Sequence, residues 1–213
     1  MESGKNKNHN RESLKLSIIK TAERAFIENG IRSVRMDDIA ASLSISKRTL
    51  YELFSDKQKL LLEVVQYHHE IMERKMVEAI KNKANVIEIL FQFYEIVTKD
   101  FQKTNRVFFQ DLEKYPDVVA FVQNQRKQDA NRSMDFYMKG VEQGIFRDDV
   151  NYTIVRALMS EHLFYMFTSD VLSDFSLVEI FENVFFMHMR GVSTPCGQKL
   201  VNQYLSEFKL KNK

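Results

Sequence analysis

The 213-residue chain has one cysteine, two prolines, six glycines and no tryptophan. A lone Cys196 excludes an internal disulfide and a cysteine-based zinc cluster, which points to a reducing compartment. So little glycine and proline excludes turn-rich all-β folds, collagen-like repeats and long flexible linkers. No run of about 18 uncharged apolar residues occurs, and the polar, basic first ten residues are not followed by an apolar stretch, so neither a membrane span nor a signal peptide is expected. There is also no phosphate-cradling glycine loop, acid pair at fixed spacing or nucleophile motif, which argues against an enzyme. The expectation is a soluble, cytoplasmic, all-α protein with no cofactor and no metal.

What is present is a hydrophobic share of 44%, enough to fill a core, and an uneven charge. Residues 1–60 hold 12 Lys or Arg against 8 Asp or Glu, while residues 61–213 hold 19 against 21. A basic N-terminal part suits a polyanionic partner. After a disordered tail over residues 1–10, Leu14, Ile18, Ala22, Ala25 and Phe26 recur at helical spacing up to Gly30. A short helix follows over 35–43, with Asp37 and Asp38 in its first turn, where the helix dipole favours negative charge. Residues 44–46 interrupt it, and Ser46 is placed to cap another short helix over 47–54. Ser55 to Gln58 reads as a capping box that opens a long amphipathic helix.

The segment 85–101 is apolar on almost every side and predicts a buried helix. Further helical patterns cover 107–114, 117–143 after Pro116, and 151–168, with Asp148 and Asp149 as the simplest cap of the last. Ser176 and Glu179 form a second capping box for a helix ending near Gly191, and Pro195 starts a final one.

Two short helices joined by a three-residue turn, the second opening on Lys47, Arg48 and Thr49, make a helix-turn-helix layout. In that form the second helix projects its N-terminal side chains into the major groove. Ile39, Ala40, Leu43, Ile45 and Leu50 should bury between the two helices. The string Ala22-Glu23-Arg24-Ala25-Phe26 with Gly30, then Asp38-Ile39-Ala40, then Ser46-Lys47-Arg48-Thr49-Leu50-Tyr51 with Phe54, Lys57 and Leu60, resembles the TetR family of bacterial transcription regulators. The resemblance covers about residues 11–60. It implies a DNA-binding domain over 11–56, a helical ligand-binding and dimerisation domain over 57–213, and a homodimer on a palindromic double-stranded operator, as a repressor released by a small ligand. A regulator without a ligand, or an activator working through protein partners, is the alternative.

Carried over by position, Tyr51 and Lys57 contact phosphate, while Lys47, Arg48 and Thr49 line the groove. Ser46 and Arg35 complete the candidate DNA-binding set. Ser44 stands where a turn glycine is usual, Arg48 replaces a commonly small residue and adds a bidentate guanine contact, and Arg35 replaces a hydroxyl cap.

The second domain is rich in Phe and Met, which core and dimer interface account for in large part. The resemblance suggests a hydrophobic or amphipathic ligand, with Phe91, Tyr94, Phe108, Tyr137, His162, Tyr165 and Met166 as candidate lining. His162 also fits a core histidine. No charged residue is placed by the sequence to read a particular ligand group. Leu158, Phe164, Phe167, Phe181, Phe185 and Met189 form stripes read as the dimer interface, a four-helix bundle with the partner copy. The adjacent His68 and His69 with Glu73 are a poor metal set, since neighbouring residues on a helix point about 100° apart.

Overall fold

Apolar side chains at helical spacing carry helix α1 (Glu2–Asn29) up to Gly30. There a positive φ of 80° ends the helix, and the Gly30 amide donates to Phe26 O at 2.9 Å. The computed structural model describes residues 2–81, 83 and 85–211, and over them the fold is all-α. Helix α1 begins at Glu2, so residues 2–10, expected as a disordered tail, are helical. The order continues with α2 (Met36–Ser42), α3 (Lys47–Leu53), α4 (Lys57–Ile80), α5 (Val86–Phe101), α6 (Arg106–Leu112), α7 (Pro116–Gln128), α8 (Ala130–Glu142), α9 (Tyr152–Thr168), α10 (Leu177–Val192) and α11 (Pro195–Lys211), with a short 3-10 turn at Asp170–Leu172. No described helix is long and apolar enough to cross a membrane.

Helix boundaries follow their caps. Ser46 Oγ accepts from Thr49 N at 3.1 Å, and the Ser176 and Glu179 box closes with both of its hydrogen bonds. Four expectations change. Asp56, not Ser55, caps α4, accepting from Lys59 N at 2.8 Å. Asn151 caps α9 while Asp149 pairs with Arg147, so the acidic pair is not the cap. The expected single helix over 117–143 breaks at Asp129 into α7 and α8, and α10 continues through Gly191 to Val192.

The chain forms two units. The first comprises Met1–Glu73 and Lys103–Gln123, the second Arg74–Gln102 and Asn124–Lys213. This differs from a boundary after residue 56, because the first unit keeps most of α4 and also takes in α6.

In the first unit, Ile18, Ala22, Phe26, Ile31, Leu50, Leu60 and Leu61 are fully buried. Polar ties fix α1 to α4: Lys15 Nζ lies 2.7 Å from Glu63, and His68 Nδ1 lies 2.9 Å from Glu23. Helix α6 grips the end of α1 and the turn beyond it. Asn105 N donates to Ile27 O at 2.8 Å, and the buried Asp111 carboxylate accepts from Arg32 N at 2.8 Å. Gly30 leaves room for this approach, since a Cβ there would stand 2.7 Å from Val107 Cγ1.

The second unit is built around Tyr94. Its ring packs on Phe181, Phe185, Phe186 and Phe208 at centroid distances of 5.0–5.9 Å. Burial pushes its hydroxyl up to about 12. A second aromatic group joins Tyr137 of α8 to Phe146 and to Tyr152 of α9.

Candidate nucleic-acid interface

The reading element starts from the turn between α2 and α3. Ser44 adopts a positive φ of 54°, so the serine accepts the geometry that a glycine would take without steric cost. Its amide donates to Ala41 O at 3.0 Å, and that of Ile45 donates to Ala40 O at 3.0 Å. Ile39, Ala40 and Leu50 are buried and hold α2 against α3. Leu43 and Ile45, expected in the same interface, are only half-buried because they flank the open side of the turn.

Burying Leu50 turns the other face of α3 outward. Lys47, Arg48 and Tyr51 are exposed there, with Tyr51 at 47%, while Thr49 is half-buried and its hydroxyl lies 2.8 Å from Ser46 Oγ. The two cations already have carboxylate neighbours: Lys47 Nζ pairs with Asp37, and Arg48 Nε donates to Glu52 at 2.8 Å. Both pairings hold the cations above their ordinary pKa, chiefly through the hydrogen bond. With Nε engaged by Glu52, the exposed Arg48 side chain keeps its two terminal nitrogens as a planar donor fork.

Two members of the predicted set sit differently. Arg35 is exposed at the start of α2, and its amide donates to Asp38 at 2.9 Å. Lys57 is half-buried and donates from Nζ to Val34 O at 2.6 Å and Arg32 O at 3.3 Å. Burial lowers its pKa. Lys57 thus ties the loop that precedes α2, a role that charge patterning did not reveal.

The predicted ligand-lining residues are not brought together. Phe91, Tyr94 and Tyr137 are buried in the aromatic core of the second unit, His162 and Tyr165 are exposed on α9, and Met166 is half-buried. Phe108 belongs to the first unit. The dimer stripe also needs correction. Phe167, Phe181, Phe185 and Met189 are buried within the chain itself, and α5 supplies ring partners to the three phenylalanines. Leu158 is exposed at 53%, with Ile154 and Tyr165 on the same face of α9, and the side chain of Phe164 lies outside the described residues. Among the described residues no group of three His, Cys, Asp or Glu side chains is placed to hold a metal. His69 instead packs edge-on against Phe121.

One part-buried polar pair was not anticipated. Tyr137 Oη lies 2.9 Å from His188 Nε2, and burial pushes His188 down to about 4 and Tyr137 up to about 12. An unfolded histidine takes up its proton near 6.5, so between pH 6.5 and about 4 the unfolded chain binds a proton that the folded chain refuses. Stability is therefore expected to fall as pH drops through that window, by about 3 kcal/mol for this group, and to stop falling on its account below it. His188→Gln should flatten the melting temperature measured against pH over the same range. An unchanged slope would remove His188 as the source.

Residues 18–64 match the family model described as bacterial regulatory proteins, tetR family. The chain is 27% identical over 116 residues to the HTH-type transcriptional activator FasR of Mycolicibacterium smegmatis, a match spanning 53% of each chain and so about half of that relative. It is 23% identical over 146 residues to the HTH-type transcriptional repressor KstR2 of Mycobacterium tuberculosis, covering 65% of this chain and 72% of that one. Two solved structures share the fold. The fatty acid degradation regulator FadR from Bacillus halodurans has a TM-score of 0.65 and 20% identity, covering 83% of this chain and 95% of its own. A transcriptional regulator from Saccharomonospora viridis in complex with choline has a TM-score of 0.71 and 19% identity, covering 86% and 99%.

Proposed function

We propose, from the premise that the chain belongs to the TetR family and is a DNA-binding regulator, that it works in the cytoplasm as a homodimeric repressor released from a palindromic operator by a small hydrophobic or amphipathic ligand. The observation that carries the DNA reading is the outward face of α3, where Lys47, Arg48 and Tyr51 are exposed beside a Ser46 cap. In this reading Arg48 takes a guanine through its free fork, Lys47 and Tyr51 hold phosphates, and Arg35 reaches the backbone from the start of α2. Ser46 and Thr49 set the helix end from which these groups project. Lys57 acts by fixing the loop before α2.

One short helix reads too few bases, so two heads are needed for both half-sites. The exposed apolar face of α9, with Ile154, Leu158 and Tyr165, is the surface proposed to meet the second copy. Leu158→Glu should convert the dimer to monomer in size-exclusion light scattering; a variant that stays dimeric would move the interface elsewhere. The ligand class is supported by the aromatic second unit, and by relatives one of which is a regulator of fatty acid degradation and another a complex with choline. The likeness to FasR, an activator, favours activation as the second reading.

The test is selection of DNA from a random library by the purified protein, followed by titration at several salt concentrations. Sequence-selective, salt-sensitive binding is expected, and its absence would sink the reading. Arg48→Ala should cost about 1–3 kcal/mol on the selected site and relax preference at one position. Equal losses on selected and scrambled DNA would take Arg48 out of base readout.

A further inference from the structure

Arg156 is the charged residue of the second unit whose placement the fold itself leaves unexplained. It lies one helical turn beyond Tyr152 on α9, and so on the same face. Tyr152 stacks on Tyr137 of α8 with ring centroids 4.7 Å apart and planes 19° from parallel. Tyr137 in turn reaches His188 of α10 through its hydroxyl, at 2.9 Å. Arg156 is close enough to Tyr137 to act on it electrostatically. The Arg156 side chain is half-buried, its Nε is enclosed, and that nitrogen has no hydrogen-bond partner among the described residues.

An orphaned donor of this kind calls for an explanation. Arginine cannot shed its proton to escape burial, and a flexible side chain of its length normally carries its head to water instead. Buried polar groups without a partner are few in folded proteins and recur where a ligand or ion completes the site. The chemistry of the neighbours narrows the choice. Tyr137 and His188 are both uncharged near neutral pH, so they offer hydrogen bonds without competing for the cation, while the rings of Phe136, Phe146 and Tyr152 surround Tyr137 with apolar surface. The Nε edge of a guanidinium, with the adjacent terminal nitrogen, matches the two oxygens of a carboxylate.

We propose that Arg156, flanked by the Tyr137 and His188 pair, anchors the carboxylate of an amphipathic ligand whose apolar part lies among the aromatic side chains of the second unit. The site deepens the ligand reading above and rests on it. Lysine would not replace arginine here, because a single ammonium point charge lacks the paired donors.

The test is isothermal titration of the DNA-free protein with decanoate and, in parallel, with decanol, which shares the chain and lacks the carboxylate. Wild type should bind decanoate at least about tenfold more tightly than decanol. Arg156→Met and Arg156→Lys should each lose about tenfold or more for decanoate and nothing for decanol. Without ligand, Arg156→Met should melt at or above the wild-type temperature, since an enclosed donor without a partner has been removed. A merely structural arginine would give the opposite shift in melting temperature. Decanol bound as well as decanoate, or decanoate bound equally by Arg156→Met, would overturn the anchor while leaving an apolar ligand site standing. No binding of either compound would overturn the proposal together with the ligand class it rests on. Because DNA is absent, a ligand that binds but fails to release the operator counts against the repressor reading alone.

Discussion

Asp111→Ala is expected to lower stability by about 2–3 kcal/mol, or about 5–10 °C in melting temperature, and to weaken DNA binding with it. The carboxylate is only 4% exposed and accepts from Arg32 N at 2.8 Å, with Lys114 Nζ 3.3 Å from its other oxygen. Removing it leaves the Arg32 amide without its acceptor and Lys114 without its counter-charge, and opens a small cavity beside Gly30. The effect should reach the reading head because the same turn supplies Arg32 O and Val34 O to Lys57 and leads into α2 at Arg35. Asp111→Asn keeps an acceptor of similar shape and should retain the greater part of the stability. An alanine variant that melts with the wild type would show that α6 does not hold the turn.

Gly197→Ala should be at least as damaging, costing about 3 kcal/mol or preventing folding of the second unit. A Cβ at this position would stand 2.1 Å from Ile145 O, a backbone atom that cannot swing away. That oxygen is held by Thr194 N at 3.0 Å and Thr194 Oγ1 at 3.2 Å, and the neighbouring Arg147 N donates to Val192 O at 2.9 Å. The clash therefore strains the whole junction between α10 and α11. Gly191→Ala is the matched control. Nothing lies within 4 Å of its would-be Cβ, it sits in α10, and alanine there should be neutral or stabilising by up to about 1 kcal/mol. Equal melting of the two variants would contradict the close approach at Gly197.

The helices were legible in the sequence because their apolar positions repeat and several of their ends carry caps, as at Ser46 and Ser176. The reading helix was legible for the same reason: burying Leu50 decides which residues of α3 face out. Partners distant in the chain were not. Periodicity puts Phe181, Phe185 and Met189 on one face of α10, but it is silent on whether that face meets a second copy or, as it does through Phe181 and Phe185, α5 of the same chain. The break at Asp129 carries neither glycine nor proline to mark it. Asp111 is invisible because its partner is a main-chain amide 79 positions away, which no side-chain pattern encodes. Arg156 was passed over for a related reason, since burial of its Nε depends on how α8 and α9 pair.

The first unit is discontinuous in the chain, and this bears on how such proteins can be recombined. Segment Lys103–Gln123 belongs with residues up to Glu73, although the polypeptide between them, and after it, builds the other unit. A fragment cut within α4 would carry every residue of the reading face yet lack Asn105, Val107 and Asp111, which hold the end of α1 and the turn at Gly30. A chimera that exchanges DNA specificity between relatives therefore needs two splices rather than one, the second transplanting α6 alongside the head it grips.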